Sequence, residues 1–416
     1  MPQAVRNRPT APLFRPLIYI LILASAAAQF AIVPIMPTYA HRLGLSGLQE
    51  GMVLGATGLA ALAVSVPAGA LSDRFGARRI TLWAGLMMTI ATVGQSLATS
   101  FPLLFIARLA FGMGYGMVWT AGLCWLAGTA RGRSAVGGSV ACSGVGGVAG
   151  PAIAGVLVQH FGLAIPGLAA AGCFAVITGW LGALRMPAGL VASRRRAGES
   201  LRAAARDRSV ICAAIAVVIA GLTTGVSSLL APAQLHAAGA SAGRIGLAFG
   251  ISGMLFVAGS TLTASAGYRA LKLSVLCGGL LAVTVSLAPA AISTAPLAIV
   301  TMLCITTAGR SVLWTVSYPL AADAAERSGV GTGAVIGLLN GIWAATAVLG
   351  PLAAGAAAEH LSVRAVYAVT EVACAVALVV TIAAASRARR PADTLADVVT
   401  LTPRGAPQPS ADLSAS

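Results

Sequence analysis

The feature of this sequence that most restricts its fold is a succession of apolar stretches, each about twenty residues long. A helix of that length crosses about 30 Å of hydrocarbon. Only 9% of the residues are charged, against roughly 25% in soluble domains, so the exterior cannot face water. We predict an all-α membrane protein with twelve transmembrane helices, at residues 16–37, 50–71, 79–98, 102–124, 136–158, 164–186, 209–231, 244–266, 272–290, 296–318, 332–354 and 363–385.

The basic residues predict how these helices are oriented. With the N-terminus inside, almost all of the 27 Lys and Arg residues fall in inner loops and tails, and only Arg42, Arg244 and Arg364 fall outside. This positive-inside bias predicts a multi-pass inner-membrane protein with both termini in the cytoplasm. Because the net charge of +16 is spread over loops and forms no single patch, we expect lipid and a small molecule as partners, and no nucleic acid.

One long polar interruption divides the chain. It predicts an N-terminal six-helix bundle at 1–186, a cytoplasmic linker at 187–208, a C-terminal six-helix bundle at 209–386 and a disordered cytoplasmic tail at 387–416. The Arg-rich part of the linker, 193–208, is interpreted either as solvated chain or as a short amphipathic helix on anionic lipid.

The two bundles share patterns of glycine and proline, which predicts a duplicated, pseudo-symmetric design. Two transporter halves that rock about a central site need such a design. The matching sets are Gly51, Gly55 and Gly58 with Gly246, Gly250 and Gly253, and Gly150, Pro151 and Gly155 with Gly350, Pro351 and Gly355.

The loop after the second helix contains Gly69, Asp73, Arg74, Gly76 and Arg78. This pattern resembles the loop signature of the major facilitator superfamily, G-x-L-x-D-R-x-G-R-[RK]-[RK], and departs from it mainly at Ala77. The resemblance implies the major facilitator fold, with this loop as a latch that joins the two halves on the cytoplasmic side while the protein faces outward. The equivalent loop in the second half lacks the Asp, so we expect one strong latch.

The fifth helix carries a second motif, similar to that of the twelve-helix drug/proton antiporters of the same superfamily. Its residues are Gly137, Gly146, Gly150, Pro151 and Gly155. Pro151 removes a backbone hydrogen bond and bends the helix, and the glycines would permit a close, leak-tight contact with the opposing half. The resemblance implies an exporter; generic small-residue packing is the alternative interpretation.

Polar residues within the spans are candidates for the substrate and proton pathway. They are Gln29, Arg108, Arg310 with its neighbour Trp314, and Glu371. Arg108 begins a sequence that resembles the R-x-x-x-G-x-G motif of the family, whose Arg is linked to proton transfer. Many exporters of this group have an acidic residue in the first helix, which this chain lacks, and Glu371 is the acid that lies deep in a span.

These patterns favour proton-coupled efflux of small lipophilic molecules or drugs by alternating access. A symporter or facilitator for a metabolite such as an organic anion is the second interpretation, and a non-transporting membrane sensor is the third. The four histidines are dispersed at predicted outer ends, and no phosphate-binding loop is present. We therefore expect no enzymatic activity, no catalytic or metal site and no cofactor, with the proton gradient as driving force, and a monomer.

Overall fold

Twelve long helices make up nearly all of the chain that this computed structural model describes, which comprises residues 14–127, 132–184, 207–267, 272–327 and 332–386. In chain order they are α1 (Phe14–Leu43), α2 (Gly47–Phe75), α3 (Ala77–Ser96), α4 (Phe101–Met117, continued by a π-helical turn at Val118–Gly122 and a last α-helical turn at Leu123–Ala127), α5 (Gly132–Phe161), α6 (Ile165–Ala183), α7 (Arg208–Ala237), α8 (Ala242–Ser265), α9 (Leu273–Ile292), α10 (Pro296–Arg327), α11 (Thr332–His360) and α12 (Val363–Ser386). Apart from Asp207 and Arg208, the predicted linker lies outside the described residues, as does the tail at 387–416.

The predicted twelve-helix, all-α membrane fold is confirmed. Within the described residues, 11 helices are long and apolar enough to cross a membrane on their own. The remaining one, α3, is less apolar because it carries Arg78 and Arg79 in its first turn and Gln95 near its end. It packs between α4 and α6, so it belongs to the same bundle.

Capping residues set several helix boundaries. Ser46 caps α2, since its side chain accepts from the N–H of Gln49 while the Gln49 side chain accepts from the Ser46 N–H. Asp207 caps α7 by accepting from two N–H groups of its first turn, so this helix begins one residue before the predicted limit of 209. Gly76 ends α2 with a φ of +88°, a conformation that favours glycine.

Short turns join consecutive helices, so the chain crosses the bundle back and forth. We call the face where α1 begins the near face, and the face where α1 ends the far face. At the far face, the Tyr39 hydroxyl of α1 donates to the carbonyl of Gln95 at the end of α3, at 2.9 Å. At the near face, Arg78 at the start of α3 donates to the carbonyl of Leu184, just after α6, at 2.8 Å.

The hydrophobic core is continuous at the far face and divided at the near face. One cluster of buried residues includes Met36 of α1 and Leu230 of α7, and therefore joins the N-terminal half (α1–α6) to the C-terminal half (α7–α12). Toward the near face, a cluster around Leu21 contains residues of the N-terminal half alone. A third cluster, around Leu339, contains residues of the C-terminal half alone.

Glycine contacts locate where the two halves separate. On α2, a Cβ added at any glycine from Gly47 to Gly58 would contact α11. At Gly58, the last of them, the side chain of Val348 would lie 3.2 Å from that Cβ. About three turns further along α2, a Cβ added at Gly69 would have a single neighbour within 4 Å, the side chain of Thr120 in the same half. Similarly, Gly253 of α8 is close to α5, whereas Gly259 contacts its own half. The halves thus touch over the far part of the bundle and diverge toward the near face, which leaves a cleft that opens there.

Candidate functional site

Of the charged side chains that the structure describes in the N-terminal half, Arg108 in α4 is the most deeply buried, with 1% of its surface exposed. Its Nη2 donates to Oε1 of Gln29 in α1 at 3.1 Å, and its Nη1 to Oε1 of Gln95 in α3 at 3.4 Å. The guanidinium also lies over the ring of Phe111, 5.3 Å from its centroid. The structure therefore brings together Arg108 and Gln29, both predicted as pathway residues. Gln95 was missed, although it is a polar side chain in a predicted span, as Gln29 is.

Arg310 holds the equivalent place in the C-terminal half, in the middle of α10. Its Nη1 donates to Oγ1 of Thr224 in α7 at 2.7 Å, and its Nη2 to Oγ1 of Thr307, one turn earlier, at 2.8 Å. In contrast to Arg108, Arg310 is partly exposed. A charged group at this depth costs about 3 kcal/mol in hydrocarbon on insertion scales, so we expect the guanidinium to lie away from lipid.

Aromatic side chains continue this wall toward the near face. Trp314 lies one helical turn after Arg310, and its ring is 4.8 Å from the ring of Trp343 in α11 and 5.0 Å from that of Tyr318. The Tyr318 hydroxyl donates to Oδ1 of Asn340 in α11 at 2.9 Å. Trp314 was predicted, but Trp343 and Asn340 were not, because their proximity depends on how α10 and α11 pack.

Glu371 lies apart from these groups. It is half-buried in α12, which packs mainly on α9 and α7 and has no substantial contact with the N-terminal half. Its neighbours Val369 and Val372 are exposed, as lipid-facing residues are. Among the acidic side chains that the structure describes, Glu371 is nevertheless the one that lies far from the ends of its helix.

The predicted latch residues lie at the near face, where the halves are apart. Arg78 donates through Nη2 to the carbonyls of Gly182 and Leu184, both at 2.8 Å, so it holds the end of α6 in its own half. Arg74 is exposed and lies over the ring of Phe75. A Cβ added at Gly69 would have the Thr120 methyl at 3.9 Å as its one neighbour within 4 Å, and Gly76 makes the turn into α3. The side chain of Asp73 lies outside the described residues.

The glycines of the α5 motif divide between two neighbours, which corrects the expectation that all of them face the opposing half. Added Cβ atoms at Gly146 and Gly150 would meet the backbone of α1, in the same half. Gly155 instead packs against Ala242 and Gly246 of α8, and the carbonyl of Pro151 also faces Gly246. The reason is helical geometry. Gly146 and Gly150 are four residues apart and share one face of α5, whereas Gly155 is five residues after Gly150 and is therefore turned by about 100° more, toward α8. Gly137 belongs to α5, but its surroundings lie outside the described residues.

Two polar contacts close the far face beside these glycines, and neither was predicted from the sequence. Glu359, at the end of α11, accepts from the N–H of Leu48 in the first turn of α2 at 2.9 Å and is hydrogen-bonded by the Ser46 side chain. Gln159, at the equivalent place in α5, accepts from the hydroxyl of Ser241, the N-cap of α8, at 3.1 Å. We call these contacts the charged far-face latch and the neutral far-face latch.

Comparison with known proteins places this geometry among transporters. A family model described as Major Facilitator Superfamily matches residues 18–336. An uncharacterized MFS-type transporter, YuxJ of Bacillus subtilis, is 31% identical over 156 residues, which is 35% of this chain and 40% of that protein. Methyl viologen resistance protein SmvA of Salmonella typhimurium is 30% identical over 129 residues, which is 30% of this chain and 26% of SmvA. Quinolone resistance protein NorA of Staphylococcus aureus is 28% identical over 87 residues, which is 21% of this chain and 22% of NorA. The chain thus aligns with less than half the length of these curated relatives.

Solved structures resemble the chain over nearly its whole length. The nucleoside transporter NupG superposes with a TM-score of 0.73 at 14% identity, covering 89% of this chain and 98% of NupG. A bacterial homolog of the human lysosomal transporter Spinster, in an inward-facing and unoccupied conformation, gives a TM-score of 0.68 at 15% identity, with 90% and 96% coverage. At these identities the likeness establishes the fold.

Proposed function

The chain belongs to the major facilitator superfamily, and we propose that it is a secondary active exporter of small lipophilic molecules that works by alternating access. Family membership identifies a membrane transporter rather than an enzyme. The observation that carries the proposal is the divided core, because two halves that touch at the far face and diverge at the near face form a cleft open to one side. Rocking about the far contacts would open the other side.

Two further observations support export of lipophilic compounds. The cleft has an aromatic wall at Trp314 and Trp343, suited to apolar rings. In addition, the name of NorA describes resistance to quinolones, which are aromatic compounds.

The proposal includes an orientation in the inner membrane. The near face is cytoplasmic, because Arg74, Arg78 and Arg79 lie there, whereas the far face has the few basic residues Arg42, Arg244 and Arg364. The cleft of this structure then opens to the cytoplasm, where an exporter collects its substrate. We further propose that a single chain embedded in lipid suffices for transport.

Proton entry is the proposed driving force, and Glu371 is the proposed carrier. It is the described acid that lies deepest along its helix, and a carboxyl group can take up and release a proton as access alternates. Its place on α12 makes this the part of the proposal that most needs a direct test. Glu371→Gln should abolish substrate-dependent proton flux if Glu371 carries the proton.

The test uses the full chain in proteoliposomes that contain a pH-sensitive dye. A proton gradient is imposed, and lipophilic dyes, antibiotics and organic anions are added in turn. The matched variants are Gly155→Val, whose side chain would overlap the backbone of Ala242 across the far contact, and Gly144→Val, which lies on the same helix with open space around it. We expect substrate-dependent proton flux in the wild type and in Gly144→Val, and strongly reduced flux in Gly155→Val.

Other outcomes would overturn parts of this proposal. Transport that continues unchanged after both the pH gradient and the membrane potential are collapsed would exclude antiport and favour a facilitator. Unchanged proton coupling in Glu371→Gln would remove that residue as the carrier. Absence of transport for every compound class would favour a non-transporting sensor.

A further inference from the structure

The two arginines at mid-depth of the bundle lack acidic partners among the described residues. Arg108 is held by two glutamine side chains, and Arg310 by Thr224 and Thr307, all of them neutral. Arginine stays protonated in proteins. Among the described residues, both charges are therefore balanced by neutral groups, which for Arg108 include the ring of Phe111. A mobile anion in the cleft would stabilise such a charge further.

Of the two, Arg310 is the one that a ligand can reach. Arg108 is enclosed, whereas Arg310 is partly exposed at a position where α10 packs against α7. A guanidinium has five N–H donors, and the bonds to Thr224 and Thr307 use two of them. Three donors remain for a ligand, in the planar arrangement that pairs with the oxygens of a carboxylate or sulfonate.

The surroundings of Arg310 define the rest of such a ligand. Trp314 lies one helical turn after Arg310, and its ring is 4.8 Å from that of Trp343. A ligand that satisfies both features has an apolar, preferably aromatic, body and one anionic group. A cation would gain the same stacking but would be repelled by Arg310.

The described acidic residues do not offset this preference. Glu50, Asp207, Asp323, Glu326 and Glu359 lie at or near helix ends, and Glu371 lies on α12, outside the wall formed by α7, α10 and α11. Within the described residues, the middle of the cleft is therefore positively charged.

We propose that this chain exports lipophilic organic anions, whose anionic group binds Arg310 and whose apolar body packs on Trp314 and Trp343. The inference rests on the proposed efflux function and names its substrate class. It also accounts for the missing acid in α1. Moving one negative charge out of an inside-negative compartment is favoured by the membrane potential, by about a 50-fold concentration ratio across about 100 mV for a monovalent anion. Export of an anion consequently needs no proton carrier on α1.

Binding is tested first, by titration calorimetry on the purified full chain. The probes are naphthalene-2-sulfonate and the trimethyl(2-naphthyl)ammonium ion, which share a ring and differ in charge. We expect the wild type to bind the sulfonate at least tenfold more tightly than the ammonium ion, and Arg310→Gln to lose at least tenfold in sulfonate affinity, since hydrogen bonds to charged groups are strong. Arg310→Lys should keep part of the affinity because it keeps the charge, and Arg244→Gln, an exposed arginine of α8, should keep all of it.

Equal or tighter binding of the ammonium ion by the wild type would overturn the proposal even if Arg310→Gln does not fold. A folded Arg310→Gln with unchanged sulfonate affinity would overturn it as well. Melting curves of each variant establish which case applies.

Transport separates this inference from the proposed function. In proteoliposomes without a pH gradient, a potassium diffusion potential made with valinomycin should drive the sulfonate toward the positive side, and Arg310→Gln should slow it. Transport of ammonium and neutral probes without the sulfonate would uphold efflux and overturn the anion site. Sulfonate binding that depends on Arg310, without transport of any probe, would uphold the site and overturn efflux.

Discussion

Replacing Gly51 by alanine should push the equilibrium of the whole transporter toward opening at the far face. The added Cβ would overlap the carbonyl of Pro351 in α11, with the Pro351 carbonyl carbon at 2.9 Å and the Cα of Leu352 at 3.1 Å. These are backbone atoms, which cannot rotate away as a side chain does, so α2 and α11 must move apart.

The size of the effect follows from the cost of overpacking. Forcing one extra methyl group into a close contact typically costs about 1–3 kcal/mol, which corresponds to about a 5- to 150-fold change in the ratio of far-face-closed to far-face-open molecules. Gly69→Ala is the matched control on the same helix, because its nearest neighbour would be the Thr120 methyl at 3.9 Å. Both variants gain the same helix propensity on losing a glycine, so their difference isolates the contact.

Double electron–electron resonance measures the redistribution directly. Spin labels at Arg42, near the end of α1, and Arg364, near the start of α12, report the far-face distance between the halves, since both residues are exposed. The native cysteines are first replaced in all variants. We expect a longer distance to gain population in Gly51→Ala and the wild-type distribution to persist in Gly69→Ala. Identical distributions in the two folded variants would refute the reasoning that the glycine contact holds the far face closed.

Three further substitutions test separate contacts. Glu359→Gln keeps an acceptor for the first turn of α2 but loses the charge. In the same resonance experiment the longer far-face distance should therefore gain population, but by a smaller amount than in Gly51→Ala. Gly112→Ala would place a methyl group 2.7 Å from the Thr57 backbone, so we expect it to lower the melting temperature by about 2–12 °C. The control Gly172→Ala, where the glycine has open space, should leave the melting temperature unchanged. Arg78→Ala removes the donor to the last carbonyls of α6, so amide hydrogen exchange at that helix end should become faster, with other helices unaffected.

The helices could be predicted from the sequence because lipid leaves the backbone few alternatives. Within hydrocarbon every N–H and C=O group needs an internal partner, so a long apolar run becomes a helix. Helix ends were less predictable, since caps such as Ser46 and Asp207 extend the helix beyond the apolar run. The repeat predicted which glycines are equivalent, but it could not show that α2 packs on α11 and α5 on α8, which depends on tertiary packing.

The site was predicted in part, for a related reason. Arg108 and Gln29 are polar exceptions within apolar spans and could be recognised individually. Thr224 and Thr307 could not, because a threonine in a span usually bonds a carbonyl of its own helix, as Thr370 does with Val366. The role of Thr224 as a partner of Arg310 emerges only when α7 and α10 lie side by side. Thr307 precedes Arg310 by one turn of the same helix.

The same duplication that builds two equivalent far-face latches leaves them chemically unequal. Gln159 and Glu359 occupy corresponding places, yet only Glu359 brings a charge to the first turn of the opposing helix. A carboxylate at a helix N-terminus is stabilised by the exposed N–H groups and the helix dipole, whereas an amide bonded to a hydroxyl gains less. The contact between α2 and α11 is therefore the stronger of the two, and opening of the far face should begin between α5 and α8 and pivot on α2 and α11. Because Glu359→Gln makes the two latches alike in charge, its effect on the far-face distance measures how much of this inequality the single charge supplies.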